Sequence, residues 1–239
     1  MQKLEPVFLL RDQKPCDLDF EEGVVVAINK PAGITSAGVV GRIRRLIKLK
    51  RVGHAGTLDP AATGLLIVLT GRATKLQNHF LELEKEYLAT VLFGVETTTW
   101  DLEGEIIKQN LAAERSPEEI TCLLAQHFTG DILQTPPAYS AIKTNGVPAY
   151  RRARSGQEVT LEARRVKVHS ISLENWAWPE VTLRICCSKG FYVRSLAHDL
   201  GAIVSCGGVL KQLVRTRIGP HRLEEALSLD DLKALLKPE

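Results

Sequence analysis

One stretch of this chain, Gly53-His54-Ala55-Gly56-Thr57-Leu58-Asp59-Pro60, puts an imidazole and a carboxylate on a segment rich in glycine and proline. Such a segment lets backbone and side chain approach a ligand closely, and the proline keeps Asp59 out of helical geometry. The chemistry on offer is that of a carboxylate held against a ligand. A second group is Lys189-Gly190-Phe191-Tyr192-Val193-Arg194, an arginine at a helix start after a glycine turn. Its guanidinium never deprotonates at working pH and forks onto carboxylates. The third is Glu84-Lys85-Glu86-Tyr87, whose ring can stack on a base. Each has a plainer use as well: Asp59 as a turn or cap residue, Arg194 as a surface arginine, Tyr87 as core filler. Spacing alone does not choose between them.

Other classes of chemistry lack their signatures. Neither Gly-x-Gly-x-x-Gly nor Gly-x-x-x-x-Gly-Lys occurs, so no Gly-rich phosphate loop is indicated. The six histidines are dispersed and form no metal pair at helical spacing. The five cysteines (Cys16, Cys122, Cys186, Cys187, Cys206) are odd in number and contain no Cys-x-x-Cys, which indicates neither a disulfide framework nor a zinc site. No signal-like N-terminus and no long apolar run is present, and a reducing cytosol fits the cysteine usage.

With 31 basic and 28 acidic side chains the net charge is only +3, but the distribution is uneven. Arg42, Arg44, Arg45, Lys48, Lys50 and Arg51 face no acid within residues 42–51, and residues 143–167 form a second basic stretch that includes Arg151, Arg152, Arg164 and Arg165 against Glu158 and Glu162. A basic face on a nearly neutral protein suits a polyanion; a set of solvated helix faces is the other reading.

These groups need elements to position them. Gly23 to Asn29 is a β-branched run that predicts a buried strand, and a helix capped by Thr35 or Ser36 follows to about Ile47. Residues 52–64 read as loop, Leu65 to Leu69 as strand and Ala73 to Glu84 as helix. Tyr87 to Phe93 is a strand, with Gly104 to Ile107 returning after a turn. Pro117 to His127 is a helix with proline in its first turn; residues 134–150 are mostly loop. Val166 to Leu173 and Val181 to Cys187 are strands. A helix from Val193 to about Val204, a strand from Leu210 to Arg217 and a tail helix from Leu229 to Leu236 complete the set. The order is not regular βαβ alternation and predicts an α+β fold with a mostly antiparallel central sheet. Residues 1–22 read as an N-terminal extension, 23–217 as the catalytic domain and 218–239 as a short tail.

Taken in order from Ile28 to about Arg217, these segments resemble the TruB family of tRNA pseudouridine synthases. The resemblance rests on Lys30-Pro31 with Gly33, Thr35 and Ser36, the loop from Gly53 to Gly64, and Gly71-Arg72-Ala73-Thr74-Lys75. It continues through Glu84 to Tyr87, Asp101-Leu102-Glu103-Gly104, Gln134 to Lys143 and Lys189 to Arg194. It implies the pseudouridine synthase fold and isomerisation of uridine-55 in the T arm of tRNA after the nucleotide is flipped from its stack. It makes Asp59 the catalytic carboxylate, with Arg194 against it and Asp101 in the same charge network. Tyr87 becomes the ring on the flipped uracil, Leu213 the other wall of that pocket, and His54 the wedge that takes the vacated place in the stack. Lys30, Lys75 and the basic helix, with Arg42 and Arg45, would meet phosphates.

The resemblance further implies no cofactor and no metal. The expected partner is tRNA through its T stem-loop, for a cytoplasmic, stand-alone enzyme that acts as a monomer, away from membranes. Two departures stand out: Thr98 occupies a place where the family often has an acid, and the chain ends too soon for the C-terminal PUA domain of many relatives. Another RNA substrate, or an RNA-binding or RNA-folding role without catalysis, remain the alternatives.

Overall fold

The computed structural model describes residues 7–11, 18–109, 113–140, 142–144, 146–157 and 159–236. Cys16, Ala141 and Glu158 lie outside the described residues, as does most of the N-terminal segment. In chain order the strands and helices are β1 (Val7–Leu9), β2 (Val24–Lys30), α1 (Ser36–Leu46), β3 (Val52–Ala55), β4 (Thr63–Thr70), α2 (Gln77–Glu82), β5 (Lys85–Phe93), β6 (Val95–Thr97) and β7 (Ile106–Gln109). There follow α3 (Pro117–His127), β8 (Gly130–Gln134), β9 (Lys143–Thr144), β10 (Val147–Pro148), α4 (Ala149–Arg154), β11 (Arg164–Ala177), β12 (Glu180–Cys187), α5 (Val193–Ile203), β13 (Gly208–Ile218), β14 (His221–Arg222) and α6 (Leu229–Leu235). The chain forms two compact units, Met1–Tyr87 with Leu213–Glu239, and Leu88–Gln212.

In the first unit the strands run β1-β2-β4-β13-β5, with β3 on β4 and β14 on β13. β2 pairs antiparallel with β4 (Val25 opposite Leu69), while β1–β2 and β13–β4 are parallel, so the sheet is mixed. The Val24-to-Ile28 run has no polar face because both sides of the strand are covered. Side chains alternate across the sheet. Val24, Val26 and Ile28 pack with Val39, Val40 and Ile43 of α1 and Leu232 of α6. Val25 and Ala27 pack on the other side with Ala73, Phe80 and Ile218. Thr35 caps α1 by accepting from Gly38 N; with Val39, Val40 and Ile43 buried, Arg42 and Arg45 are left exposed.

The second unit carries β5-β12-β11-β8 in that order. β11 is antiparallel to both neighbours, with two register shifts against β12. Val181, Leu183 and Ile185 alternate inward along β12. α3 starts where sequence predicts, with Pro117 in its first turn and a capping box between Ser116 and Glu119. α5 lies hard against the start of β13: a Cβ on Gly201 would come 2.1 Å from Gly208 N.

The α+β reading holds, with several local corrections. Residues 52–64 are not all loop: they contain β3 and the start of β4. Gly64 is tolerated inside β4 because a Cβ there would stand 2.3 Å from the Arg215 carbonyl oxygen, an approach only glycine allows. Ala73 to Glu84 is a 3-10 segment (Gly71–Leu76) followed by the six-residue α2. The 134–150 segment is mostly loop, as read, and holds the short β9–β10 hairpin and the start of α4. Leu9 is 1% exposed because β1 adds to the edge of β2, so part of residues 1–22 belongs to the sheet.

Candidate active site

In the first unit Asp59 follows β3 on a segment that makes few ladder bonds. Its shape comes from side chains. Lys30, at the end of β2, is fully buried, and its Nζ donates to the carbonyls of Pro31 (2.8 Å), Ile34 (2.8 Å) and Pro60 (3.1 Å). Arg215, at 1% exposure on β13, donates from Nε to Leu65 O (2.7 Å) and from Nη2 to Gly56 O (3.1 Å). Ser36 Oγ donates to Leu58 O (3.0 Å) and accepts from Leu58 N (2.9 Å). Gly33 N donates to Pro60 O at 2.9 Å, and Ala62 N to Asp59 O at 3.1 Å. Backbone carbonyls outside a ladder need donors when buried, and charged donors are the strong ones. Residues 56, 58, 60 and 65 are thereby fixed around a half-buried Asp59.

This geometry overturns one expectation. A lysine with no exposed surface, and with three carbonyls matching its three donors, cannot meet a phosphate; Lys30 shapes the loop instead. Lys75, on the 3-10 segment, is exposed, as are Arg42 and Arg45 on α1. Arg44, on the same helix, is turned back onto Val52 O at 2.9 Å.

His54 lies on β3 and is half-buried, with its backbone oxygen accepting from Gln77 Nε2 at 2.8 Å. Its Nδ1 is buried and has no hydrogen-bond partner among the described residues. Burial, and secondarily the Arg215 cation, push its pKa below the ordinary value near 6.5. Tyr87 and Leu213 are half-buried on β5 and β13. Side chains tie these two strands together beside Tyr87: Glu86 accepts from Thr216 at 2.7 Å, and Glu84 from Arg217 at 2.6 Å.

In the second unit Arg194 opens α5 and is 6% exposed. Its Nη1 donates to Thr99 O (3.2 Å) and lies 3.5 Å from Asp101 Oδ2, while Nη2 donates to Tyr139 O (3.0 Å). The structure thus brings Arg194 and Asp101 together. Asp101 Oδ1 accepts from Thr99 Oγ1 and, at 3.0 Å, from Glu103 N, which orients the carboxylate. Thr98 Oγ1 accepts from Glu105 N at 3.1 Å, a turn contact of the β6–β7 hairpin. The entrance to α5 is held by a reciprocal amide pair: Tyr192 N donates to Gln134 Oε1 (2.7 Å) and Gln134 Nε2 to Tyr192 O (2.9 Å). Ser195 Oγ donates to Thr135 O at 2.7 Å.

Sequence reasoning did not single out Arg215, Gln134 or Ser195, and it read Ser36 only as a candidate helix cap and a motif residue. Arg215 stands on a strand that also carries Lys211, Gln212, Thr216 and Arg217, so no local pattern marks it out. Gln134 lay within a recognised motif whose role spacing does not disclose.

Two family models match the chain in succession: TruB family pseudouridylate synthase (N terminal domain) over residues 44–193 and tRNA pseudouridylate synthase B C-terminal domain over residues 194–238. The chain belongs to the TruB family. A protein of Francisella philomiragia named tRNA pseudouridine synthase B is 45% identical to this TruB family member over 212 residues, which cover 88% of this chain and 70% of that one. One of Opitutus terrae with the same name is 45% identical over 215 residues, covering 90% and 89%. Among solved structures, a chain of a Cbf5-Nop10-Gar1 complex superposes with a TM-score of 0.70 at 28% identity, covering 90% of this TruB family member and 54% of that chain. One in an archaeal box H/ACA sRNP Nop10-Cbf5 complex gives a TM-score of 0.68 at 28% identity, covering 94% and 57%. The present chain therefore spans little more than half the length of those two.

Two outcomes follow from this geometry. Lys30→Met strips a charged donor from three carbonyls and is expected to lower stability in urea unfolding by at least ~2 kcal/mol, whereas Lys75→Met, at an exposed site, stays within ~0.5 kcal/mol. For His54, the unfolded chain binds a proton near pH 6.5 that the folded chain refuses, so its contribution to stability is complete above that pH and is lost as pH falls through the folded-state value. An NMR titration of the His54 ring should give a midpoint below 6.5, and a midpoint at or above it would contradict the burial argument.

Proposed function

We propose that this chain isomerises uridine to pseudouridine in the T arm of tRNA, at uridine-55, with Asp59 as the reacting carboxylate and without a cofactor. The observation that carries the reading is the loop around Asp59, braced through Lys30, Ser36 and Arg215. Its TruB membership and the name shared by its relatives, tRNA pseudouridine synthase B, support the substrate.

The reaction breaks the bond between uracil N1 and ribose C1′, turns the base, and joins C5 to C1′. N1 gains a proton and C5 loses one, so no electrons and no groups are exchanged with a second substrate. Asp59 must be ionised to begin it, whether it attacks C1′ or takes the proton from C2′. A group that must act on one atom gains most from being held in place beforehand. Arg194 supplies the positive charge of the catalytic machinery. Its guanidinium is nearly buried, where charge is weakly screened, and Asp101 orients it.

The base has to leave its stack before a carboxylate can reach the sugar. Tyr87 offers the ring on which the extruded uracil lies, and Leu213 the apolar wall. His54, neutral because of its burial, fills the vacated place among the bases without adding charge. Lys75, Arg42 and Arg45 meet phosphates and set position rather than sequence preference. The enzyme acts as a cytoplasmic monomer without an obligatory protein partner.

Tritium release from T-arm RNA labelled at uracil C5 tests the reading. The intact chain should release one tritium per target uridine, and Asp59→Ala should lower the rate by at least ~10³-fold. Release by Asp59→Ala at the parent rate would remove Asp59 from the reaction and the proposal with it.

A further inference from the structure

The residue before Asp101 has a backbone that its side chain does not favour. Trp100 sits at φ +62, a left-handed conformation that is an outlier for a bulky residue. Strain of this kind persists only where the surroundings enforce it. Here the ring of Trp100 stacks on the ring of His198, with centroids 4.3 Å apart and planes 8° from parallel. His198 lies on α5 four residues after Arg194, so both side chains leave the same face of that helix.

The left-handed residue has a geometric consequence. Thr99 and Asp101 flank it, and both address the same guanidinium, Thr99 through its carbonyl at 3.2 Å and Asp101 through its carboxylate at 3.5 Å. The reversal at Trp100 lets a carbonyl and a carboxylate two residues apart converge on one cation. The turn is held from its other side as well: Leu210 N donates to Trp100 O at 3.0 Å. Gly104 closes it from below, since a Cβ there would stand 2.4 Å from Thr99 Oγ1. One flat contact therefore couples the turn that supplies Arg194 with its acceptors to the helix that carries Arg194.

We propose that Trp100 and His198 are a positioning pair for the Arg194 guanidinium. Their stack sets the height of α5 against the Thr99–Asp101 turn, and neither ring touches the reacting atoms. The inference rests on the reading that Arg194 serves the uridine isomerisation, and its test keeps the two apart.

The test is steady-state kinetics on T-arm RNA, with urea unfolding of every variant. Trp100→Gly separates the roles, because glycine accepts the positive φ without strain yet removes the ring. His198→Ala removes the partner ring from a half-exposed site. Both are expected to lower kcat at least ~10-fold, the scale of a small displacement of a catalytic group, with KM within about twofold and a single cooperative urea transition that shows each variant to be folded. Trp100→Phe and His198→Phe keep a ring in place and should recover kcat to within about threefold of the parent. Parent-level kcat in Trp100→Gly and His198→Ala, beside an inactive Arg194→Lys, would overturn the positioning pair alone. A change in KM without a change in kcat would also overturn it, by making the rings part of binding. Parent-level kcat in Arg194→Lys would instead overturn the reading beneath it.

Discussion

Two buried cations give the segment from Gly56 to Leu65 its shape. A segment that contains Gly56 and Gly64 and forms few ladder bonds cannot brace itself, because glycine has wide conformational freedom. Lys30 and Arg215 reach it from different strands and bind its carbonyls at Pro60, Gly56 and Leu65. Burying an ammonium or a guanidinium is costly unless its donors are satisfied, and carbonyl oxygens of this segment, together with those of Pro31 and Ile34, serve as acceptors. The cation needs the loop in one conformation and the loop needs the cation. Hydrogen bonds between Ser36 and Leu58 close the same arrangement next to Asp59.

The second unit uses the same device at Arg194. Carbonyls of Thr99 and Tyr139, from separate segments, set the direction of the guanidinium, and Asp101 contributes the balancing charge. The supports lie one layer further out. The Gln134–Tyr192 amide pair and the Ser195–Thr135 bond fix the first turn of α5. Motif residues that carry no chemistry of their own thus hold the chain where a charged side chain must point. Backbone carbonyls also impose direction more firmly than surface ion pairs, which are weak and screened by salt.

Much of this was legible in the sequence because it depends on period and punctuation. The β-branched run of β2, the Thr35 cap of α1 and the proline opening of α3 are local signals, and the elements formed near those places. Residues 52–64 misled because glycine usually breaks a strand, whereas Gly64 serves β4 by admitting the Arg215 backbone. Lys30 misled because charge normally lies outside; its burial depends on carbonyls contributed by Pro31, Ile34 and Pro60, and Pro60 is thirty residues away. The Trp100–His198 stack joins residues nearly a hundred positions apart and leaves no pattern at any period. The boundaries of the two units fall inside β5 and β13, where the strand pattern continues without a linker.

The central claim is that a carboxylate braced by buried cations reaches the sugar of an extruded nucleotide. A crystal structure of the chain bound to T-arm RNA carrying 5-fluorouridine at the target position tests it most directly. The account predicts the Asp59 carboxylate against C1′ or C2′ of that nucleotide, with the Lys30 and Arg215 contacts to the loop unchanged. Another side chain against that sugar, or a target uridine still stacked in the RNA, would contradict it.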